Sequence, residues 1–290
     1  GYLLFILFLS IYFLLKKETK LLEKGFYGAV FILGLPIIHI TAVRGSIIAL
    51  WGSLFLLGLF YLFFPASPAG GLKNKKIKLC VLIGLIIFLI SAGYIWLSRN
   101  QTWVQNNSWL SRLTTISLKI TTVQTRLWSW HSGWLGFKER PILGWGPENF
   151  VLAHAKYFDP RHFTSMGAET IWDRAHNTPL EMLTTMGIFG LLSYLSIFVV
   201  VYYLLIKSFR EKRIDMIILG VLGIMLIAYF VHNLFIFDTT ANYFMFFLVL
   251  GYLNFITRRN TQIVSEQSSE YADTRGKEKR PNIILILILI

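Results

Sequence analysis

The sequence predicts an all-α fold, a polytopic bundle of transmembrane helices with one long loop on its outer side. Of the 290 residues, 55% are hydrophobic and only 15% are charged, whereas soluble domains carry roughly a quarter charged residues. The apolar residues gather in runs long enough for a helix to cross a bilayer core of about 30 Å. The Lys and Arg residues concentrate in every second connection between these runs, which is the pattern of the positive-inside rule.

Seven apolar segments are the candidate spans, and we expect each to be a helix. They are residues 2–15, 26–40, 46–64, 77–97, 180–206, 214–234 and 239–256. The first begins within an apolar stretch, and another apolar run, residues 283–290, closes the sequence. We therefore expect a fragment of a longer protein, cut at both ends, in which residues 283–290 begin a further apolar segment.

The basic residues assign a side to each connection. The positive-inside rule places the four basic connections in the cytoplasm and the alternate connections, residues 41–45, 98–179 and 235–238, outside. The basic connections hold Lys16, Lys17, Lys20, Lys24, Lys73, Lys75, Lys76, Lys78, Lys207, Arg210, Lys212, Arg213, Arg258 and Arg259. We thus expect a transmembrane domain at residues 1–257, including the outer loop 98–179, followed by a polar cytoplasmic linker at 258–282.

The net charge and the single cysteine argue against two other classes of protein. The charge of +13 comes from 28 Lys and Arg against 15 Asp and Glu. In a soluble protein it would indicate nucleic acid, but here membrane topology explains it, and we expect no nucleic-acid partner. Cys80 alone rules out an internal disulfide and a cysteine-based metal site. The outward segments show no Asp-x-Asp pair or His/Asp cluster with metal-ligand spacing, which is consistent with a protein that uses neither a metal nor a cofactor.

Tryptophan is concentrated in the outer loop. Seven of the nine tryptophans lie there, namely Trp103, Trp109, Trp128, Trp130, Trp134, Trp145 and Trp172. Because indole favours the headgroup layer, an interfacial belt is one interpretation. The other is that Trp128, Trp130 and Trp145 stack on sugar rings in a groove at the membrane surface. Arg126, Trp130 and Trp134 share one face if this stretch is helical.

Arg44 lies between two spans, in the stretch Thr-Ala-Val-Arg-Gly-Ser at residues 41–46. An arginine at mid-bilayer costs at least about 2.5–3.5 kcal/mol, so its guanidinium should reach the outer interface or a wet cavity. Two roles fit this position. The side chain either snorkels to fix the depth of the helix or binds an anionic headgroup, since guanidinium matches phosphate bidentately.

His176 precedes the longest apolar helix. Thr178 and Glu181, with a proline between them, form a capping box, so we expect Glu181 to be a structural cap rather than a catalytic acid. His176 then lies at the positive end of a transmembrane helix, which attracts anions. The helix terminus and Arg174 both favour a neutral, base-competent imidazole, whereas Asp173 opposes it.

Several short motifs follow one another in a fixed order. The Arg-Gly-Ser turn comes first, and the outer loop then holds Thr-Arg-Leu-Trp at 125–128 and Pro-Ile-Leu-Gly-Trp-Gly-Pro-Glu-Asn-Phe at 141–150. Ala-His-Asn at 175–177 leads into a helix with Met-Gly-Ile-Phe-Gly-Leu-Leu at 186–192. In this order and spacing, residues 26–256 resemble the O-antigen ligase and polymerase superfamily of bacterial envelope enzymes. Members commonly have Ser where this chain has Val43.

The resemblance implies a GT-C-like membrane glycosyltransferase in the bacterial cytoplasmic (inner) membrane, with its active site on the periplasmic side. Such enzymes are metal-independent and use an undecaprenyl-diphosphate-linked glycan as donor. Carried over, the catalytic histidine falls on His176 and the diphosphate-binding arginines on Arg44 and Arg126, with Arg174 as a third candidate. Direct displacement with one base would invert the anomeric centre. Three acceptors fit: lipid A core, a growing glycan chain (a polymerase) or a protein hydroxyl (a protein O-oligosaccharyltransferase).

Two other functional classes stay open. A transporter or lipid-linked-glycan flippase usually places ionisable residues near the midplane of the bilayer, where the spans of this chain have almost none. A non-enzymatic envelope scaffold would not depend on a loop histidine. The other loop histidines, His131, His154 and His162, are interpreted as surface or packing residues. His39 and His232 lie near the outer ends of spans, where they either pack at the interface or line the site.

Overall fold

The computed structural model describes residues 1–41, 43–64, 75–114, 121–164 and 170–273, with the backbone alone at 121, 164 and 259–273. Every regular element in this part of the chain is helical, which confirms the predicted all-α class. The helices are α1 (Tyr2–Leu15), α2 (Leu21–Ile40), α3 (Arg44–Phe63), α4 (Lys75–Leu97), α5 (Thr102–Gln105), α6 (Ser108–Thr114), α7 (Thr121–Glu139), α8 (Phe150–Lys156), α9 (Thr178–Arg210), α10 (Gly223–Asn233) and α11 (Thr240–Asp273). A 3₁₀ turn, Pro160–Thr164, follows α8, and a π-helical turn, Ile218–Leu222, leads into α10.

The helices include every predicted span. Among the described residues, five are long and apolar enough to cross a membrane: α2, α3, α4, α9 and the Thr240–Arg258 part of α11. Two apolar helices, α1 and Ile218–Asn233, are shorter. α2 begins before the predicted start at residue 26, because the backbone N–H of Lys20 donates to the Glu23 carboxylate at 3.1 Å and caps the first turn. The chain is a multi-pass helical membrane protein.

α11 extends beyond the last span, as a helix through Asp273. The polar cytoplasmic linker at residues 258–282 stays a prediction. The first glycine after the span is Gly276, so no strong helix breaker interrupts the backbone before that point. Lys73 and residues 283–290 lie outside the described residues.

α1 lies at the centre of the bundle although it is short. Phe5 and Phe8 are fully buried, and α1 packs against α2, the π-helical turn, α10 and α11. The Phe5 ring lies 5.0 Å from the ring of Tyr229 on α10, which stacks at 4.6 Å on Phe246 of α11. α4, by contrast, has no buried side chain. Because α4 is apolar on all sides, its position at the edge of the bundle suits contact with lipid.

The connections predicted to face outward meet at one end of the bundle. His39, near the end of α2, contacts Trp109 of α6 with ring centroids 4.7 Å apart, and the start of α3 packs against the connection between α10 and α11. At the opposite end, Lys16 after α1 and Arg213 before the π-helical turn line one pocket. These two groups of connections therefore lie at different ends of the described bundle, and their assignment to a side of the membrane stays a prediction.

α9 is kinked at Gly187, where φ is 66° and ψ is −162°. The loop between α7 and α8 docks into this kink through backbone hydrogen bonds. The N–H of Trp145 donates to the carbonyl of Thr184 at 3.1 Å, and the N–H of Ile188 donates to the carbonyl of Pro141 at 2.8 Å. The loop thereby satisfies backbone groups that the kink releases and fixes the direction of the first turns of α9.

Candidate functional site

His176 lies in a tight segment directly before α9. Its φ of 52° is in the left-handed region, which few residues other than glycine adopt. The preceding residue, Ala175, is fully buried, and side chains bind both of its backbone polar groups. Its N–H donates to Glu181 Oε2 at 2.6 Å, and its carbonyl accepts from Trp130 Nε1 at 2.7 Å. These bonds hold a backbone conformation that costs of order 1–3 kcal/mol.

The predicted helix cap is wrong by one residue. Asn177 is the N-cap, and its side-chain oxygen accepts from the N–H of Leu180 at 2.9 Å. The hydroxyl of Thr178, which we expected to be the cap, donates instead to the carbonyl of Ile236 at 3.1 Å. A tertiary contact thus uses the hydroxyl that the capping box would need. Glu181 still has a structural role, since its carboxylate binds the backbone of the segment before the cap.

The His176 ring is held between two aromatic side chains. The ring centroids of Trp172 and Phe237 lie 4.9 Å and 5.1 Å away, both in edge-to-face contact. His176 Nδ1 lies 3.3 Å from the carbonyl oxygen of Arg174. Because a carbonyl oxygen only accepts, this contact requires the proton on Nδ1. In that tautomer Nε2 is the nitrogen that can take up a proton, which is what a general base requires.

The start of α3 reaches the same region through Gly45. A Cβ at Gly45 would lie 2.9 Å from Cβ of Phe235, so a glycine is what allows α3 to approach the connection between α10 and α11 so closely. The next residue, Ser46, is buried, and its Oγ lies 3.3 Å from Nδ1 of His232. Arg44, the first residue of α3, is therefore placed beside this connection.

Three consecutive residues of that connection join the predicted outer segments. Phe235 packs on the start of α3, and the carbonyl of Ile236 binds the start of α9. The Phe237 ring contacts His176, and the guanidinium of Arg174 lies 5.8 Å from its centre. We call residues 235–237 the junction. The sequence of the junction does not predict this role, because three apolar residues in a row do not indicate a binding or catalytic function.

Asp238 anchors the junction to α10. Its carboxylate is buried, and Oδ2 accepts from the hydroxyl of Tyr229 at 2.7 Å and from the side-chain amide of Asn233 at 2.8 Å. Burial raises the pKa of Asp238, although these hydrogen bonds work in the opposite direction. The residue that follows the junction is therefore fixed by buried polar contacts.

Arg44 lies near a second arginine that the sequence does not single out. Arg112 on α6 is close enough to Arg44 for the two positive charges to repel each other. α6 packs against α3 and α4, which brings this part of the outer loop over the start of α3.

Arg126 lies on α7, one turn before Trp130, so the two side chains share a side of the helix. Because Trp130 donates to Ala175, that side of α7 faces the segment that holds His176. Arg126 is half-buried. The fold thus joins the start of α3 and the His176 segment at the junction and places Arg126 on a neighbouring helix face.

Arg174, the third predicted arginine, forms an ion pair with Glu148. Glu148 follows the Gly-Trp-Gly-Pro turn and has a positive φ of 65°. The Arg174 side chain is 30% exposed and that of Glu148 is 68% exposed, so the pair lies at the rim of the site and links this turn to the His176 segment.

The three tryptophans predicted to stack on sugars have different surroundings. The guanidinium of Arg161 lies 5.1 Å from the Trp128 ring, and that of Arg140 lies 4.2 Å from the Trp145 ring. The Trp145 N–H also donates to the carbonyl of Gly136 at 2.9 Å. Trp130, bonded to the residue before His176, is the one tied directly to the site. Sugar stacking stays a prediction for all three.

Two of the other loop histidines are packing residues. His154 and His162 are buried, with ring centroids 5.4 Å apart, and both contact Trp172. Burial, with a smaller effect of the His162 charge, lowers the pKa of His154 to about 4. Within the described ranges, no three His, Cys, Asp or Glu side chains are grouped so that they could hold a metal ion.

Comparison with known protein families gives a match over a large part of this chain. The O-antigen ligase family matches residues 29–195, which is more than half of the chain. The matched region includes Arg44, Arg126, Arg174 and His176 and ends before the junction. Comparison with curated proteins gives no match. The family match agrees with the resemblance indicated by the motifs, and the chain belongs to the O-antigen ligase family.

Proposed function

We propose that this protein is a glycosyltransferase that moves a glycan from undecaprenyl diphosphate to an acceptor hydroxyl on the periplasmic side of the bacterial cytoplasmic membrane. Membership of the family supports glycan transfer in the membrane in general. The observation that carries the finer proposal is the junction, which ties the helix start bearing Arg44 to the segment bearing His176. The reaction needs a base and a diphosphate ligand close together.

In this proposal His176 is the general base. Its Nε2 takes the proton of the acceptor hydroxyl while the hydroxyl oxygen attacks the anomeric carbon of the donor glycan. The bond between that carbon and the diphosphate oxygen breaks, and undecaprenyl diphosphate leaves with the electron pair. A single displacement from the opposite face inverts the anomeric centre. The contact of Nδ1 with the Arg174 carbonyl supports this role, because it favours the tautomer with a basic Nε2.

Arg44, Arg126 and Arg174 are the proposed ligands of the leaving diphosphate. Negative charge on the diphosphate grows in the transition state, and guanidinium donates paired hydrogen bonds to phosphate oxygens. In this arrangement the arginines take the place of the divalent cations that bind phosphates in other enzymes. We therefore propose a metal-independent reaction, and a chelator should leave the rate of transfer unchanged.

Transfer in vitro tests the proposal. Purified protein in lipid nanodiscs receives undecaprenyl-diphosphate glycan and one of three acceptors: lipid A core, a glycan chain or a protein with Ser and Thr hydroxyls. His176→Ala should lower the rate at least about a hundredfold. His131→Ala is the matched control, because His131 is an exposed histidine of the same loop.

Each contrary outcome points to a definite alternative. Transfer at the wild-type rate by His176→Ala would remove the assigned base. Movement of the lipid-linked glycan across a proteoliposome membrane with no new glycosidic bond would identify a flippase. Loss of transfer in chelator, restored by a divalent cation, would refute the metal-independent reaction.

A further inference from the structure

A pocket of about 500 Å³ lies at the end of the bundle opposite the outer loop. Three parts of the chain line it: the end of α1 with the residues that follow, the connection between α9 and the π-helical turn, and the last turns of the α11 span. Its volume is in the range of small-molecule sites, roughly 300–1,000 Å³. His176 and the proposed diphosphate-binding arginines are not among its lining residues, so the proposed transfer reaction does not account for it.

The lining of this pocket carries charges of both signs. Lys16 and Arg213 are basic, and Glu18 and Asp215 are acidic, so the four charges cancel. A purely anionic ligand would bind the basic groups but would meet two carboxylates, and a purely cationic ligand would bind the carboxylates but meet two basic groups. A ligand that has both a phosphate and an ammonium group complements all four side chains.

Contacts within the protein hold two of the charged groups in place. The Arg213 guanidinium pairs with Glu211 and donates to the carbonyl of Thr257 at 3.4 Å. Asp215 Oδ1 accepts from the N–H of Ile218 at 2.8 Å, at the start of the π-helical turn, and such turns are frequent at functional sites. Because a guanidinium has five N–H donors and a carboxylate has about four acceptor sites, both groups can bind a ligand without giving up these contacts.

Two tyrosine hydroxyls add a neutral donor to the pocket. The hydroxyl oxygens of Tyr12 and Tyr252 lie 2.8 Å apart, and both residues line the pocket. One hydroxyl donates to the other, and the accepting hydroxyl keeps its own proton. Because Tyr12 is buried, this pair offers a phosphate oxygen a hydrogen bond at the buried side of the pocket.

An exposed apolar stripe on α11 ends at the pocket. The side chains of Phe244, Leu248 and Phe255 are 67%, 49% and 55% exposed, and their spacing of four and seven positions puts them on one side of the helix. Phe255 also lines the pocket. Apolar side chains on the outside of a transmembrane helix face hydrocarbon. An acyl chain of a lipid can therefore lie along this stripe while the headgroup of the lipid enters the pocket.

We propose that this pocket binds the headgroup of a phospholipid that has a primary ammonium group, such as phosphatidylethanolamine. Lys16 and Arg213 bind the phosphate, and Glu18 and Asp215 accept hydrogen bonds from the ammonium. The site is separate from the proposed transfer reaction, since it involves neither the glycan donor nor the acceptor. Phosphatidylcholine has the same charges, but its quaternary ammonium has no N–H to donate. Phosphatidylglycerol has the phosphate without a cation.

A comparison of three labelled lipids tests the site. The full chain is placed in phosphatidylcholine nanodiscs with a trace of lipid that carries a spin label on its acyl chain, and the immobilised fraction of the label measures binding. Labelled phosphatidylethanolamine should bind at least about fivefold more tightly than equally labelled phosphatidylcholine or phosphatidylglycerol, because only its ammonium donates hydrogen bonds to the carboxylates. Glycerophosphoethanolamine, which has the same headgroup without acyl chains, should not displace the label at an equal concentration.

Two variants separate the shape of the pocket from its charge. Ile256→Trp should fill the pocket and lower the binding of phosphatidylethanolamine to that of phosphatidylcholine. Val199→Trp is its control, because Val199 is an exposed residue of α9 that does not line the pocket. Glu18→Gln, at an exposed position, should lower the binding of phosphatidylethanolamine about threefold and raise that of phosphatidylglycerol, because a carboxylate that repels an anion is removed. Lys17→Gln, also exposed but outside the lining, should change neither.

Three results would overturn the assignment. Equal affinity of the wild type for the three lipids would mean that the pocket does not recognise the ammonium. Unchanged binding in both Ile256→Trp and Glu18→Gln would place the bound lipid elsewhere. Displacement of the label by glycerophosphoethanolamine at an equal concentration would identify a soluble ligand instead of a lipid. Because the assay contains neither donor nor acceptor, each of these results leaves the proposed transfer function standing.

Discussion

The indole nitrogen of Trp130 lies 2.7 Å from the carbonyl oxygen of Ala175, the residue directly before His176. This hydrogen bond ties α7, which carries Arg126, to the segment that carries the proposed base. The N–H of the same Ala175 donates to the carboxylate of Glu181, in the first turn of α9. The orientation of His176 therefore depends on groups that need not touch the substrate, and such positioning effects are testable.

Trp130→Phe should lower the rate of transfer about five- to tenfold while the protein stays folded. Phenylalanine keeps an aromatic ring but loses the N–H, and one such hydrogen bond contributes about 1 kcal/mol. The effect should appear in kcat more than in KM, because the donor-binding arginines are unchanged. Transfer kinetics measure the rate, and a thermal unfolding curve shows whether the protein stays folded. Trp134→Phe, on the same helix and 46% exposed, should change neither.

Arg44→Lys should lower transfer at least about tenfold although the charge is kept. The lysine ammonium is a point charge and cannot reproduce the planar pair of donors that guanidinium presents to a diphosphate. The measurement is the initial rate at saturating acceptor over a range of donor concentrations. Arg99→Lys in the exposed loop serves as control. An unchanged rate in Arg44→Lys would favour the alternative role, a snorkelling arginine that fixes the depth of α3.

The sequence was sufficient to predict the helices, because a bilayer core requires apolar runs of a set length. It also predicted which connections lie together at each end of the bundle, because the basic residues occur in every second connection. It also pointed to Arg44 and His176, and the start of α3 and the segment before α9 that carry them meet at the junction. The cap at Thr178 was predicted wrongly because Asn177 and Thr178 are both good cap residues. The carbonyl of Ile236, distant in sequence, decides between them.

Other features of the site depend on packing that the sequence does not encode locally. Arg112 is one of several loop arginines, and only the fold brings it near enough to Arg44 for their charges to interact. The kink at Gly187 lies inside an apolar run that predicts a continuous helix. The kink depends on hydrogen bonds from the loop between α7 and α8, and the sequence of α9 alone does not predict these contacts. Aromatic residues are common at membrane interfaces. The presence of Phe235 and Phe237 in the sequence therefore does not indicate that they join two segments of the site.

Gly187→Ala should destabilise the protein by about 3 kcal/mol or more. At φ 66° any side chain is strained, and a Cβ would lie 2.2 Å from the carbonyl oxygen of Ile142 in the docked loop. The loop would have to move, and the hydrogen bonds between the loop and α9 would break. Thermal unfolding in detergent measures the loss. Gly84→Ala, on the lipid-facing α4 with nothing within 4 Å of its Cβ, should leave Tm unchanged or slightly raised.

Acidification should destabilise the outer loop through His154. Burial among Phe150, Phe158 and Trp172, together with the nearby His162, lowers the pKa of His154 to about 4, below the ordinary value of 6.5. Between these two pH values the unfolded chain binds the proton more readily than the folded one. The stability that the neutral ring provides is therefore complete above pH 6.5 and is lost as the pH falls toward 4.

The loss at pH 4 should be at most about 3 kcal/mol, because one pKa unit corresponds to 1.36 kcal/mol. His154→Phe keeps an aromatic ring in the same contacts and removes the titrating group. The variant should lose less Tm than the wild type between pH 7 and pH 4.5, and carboxylates that titrate in both proteins cancel in the comparison. His131→Phe, at an exposed position of the same loop, should follow the wild-type curve. Parallel curves for wild type and His154→Phe would show that the burial of His154 does not set the acid sensitivity of the loop.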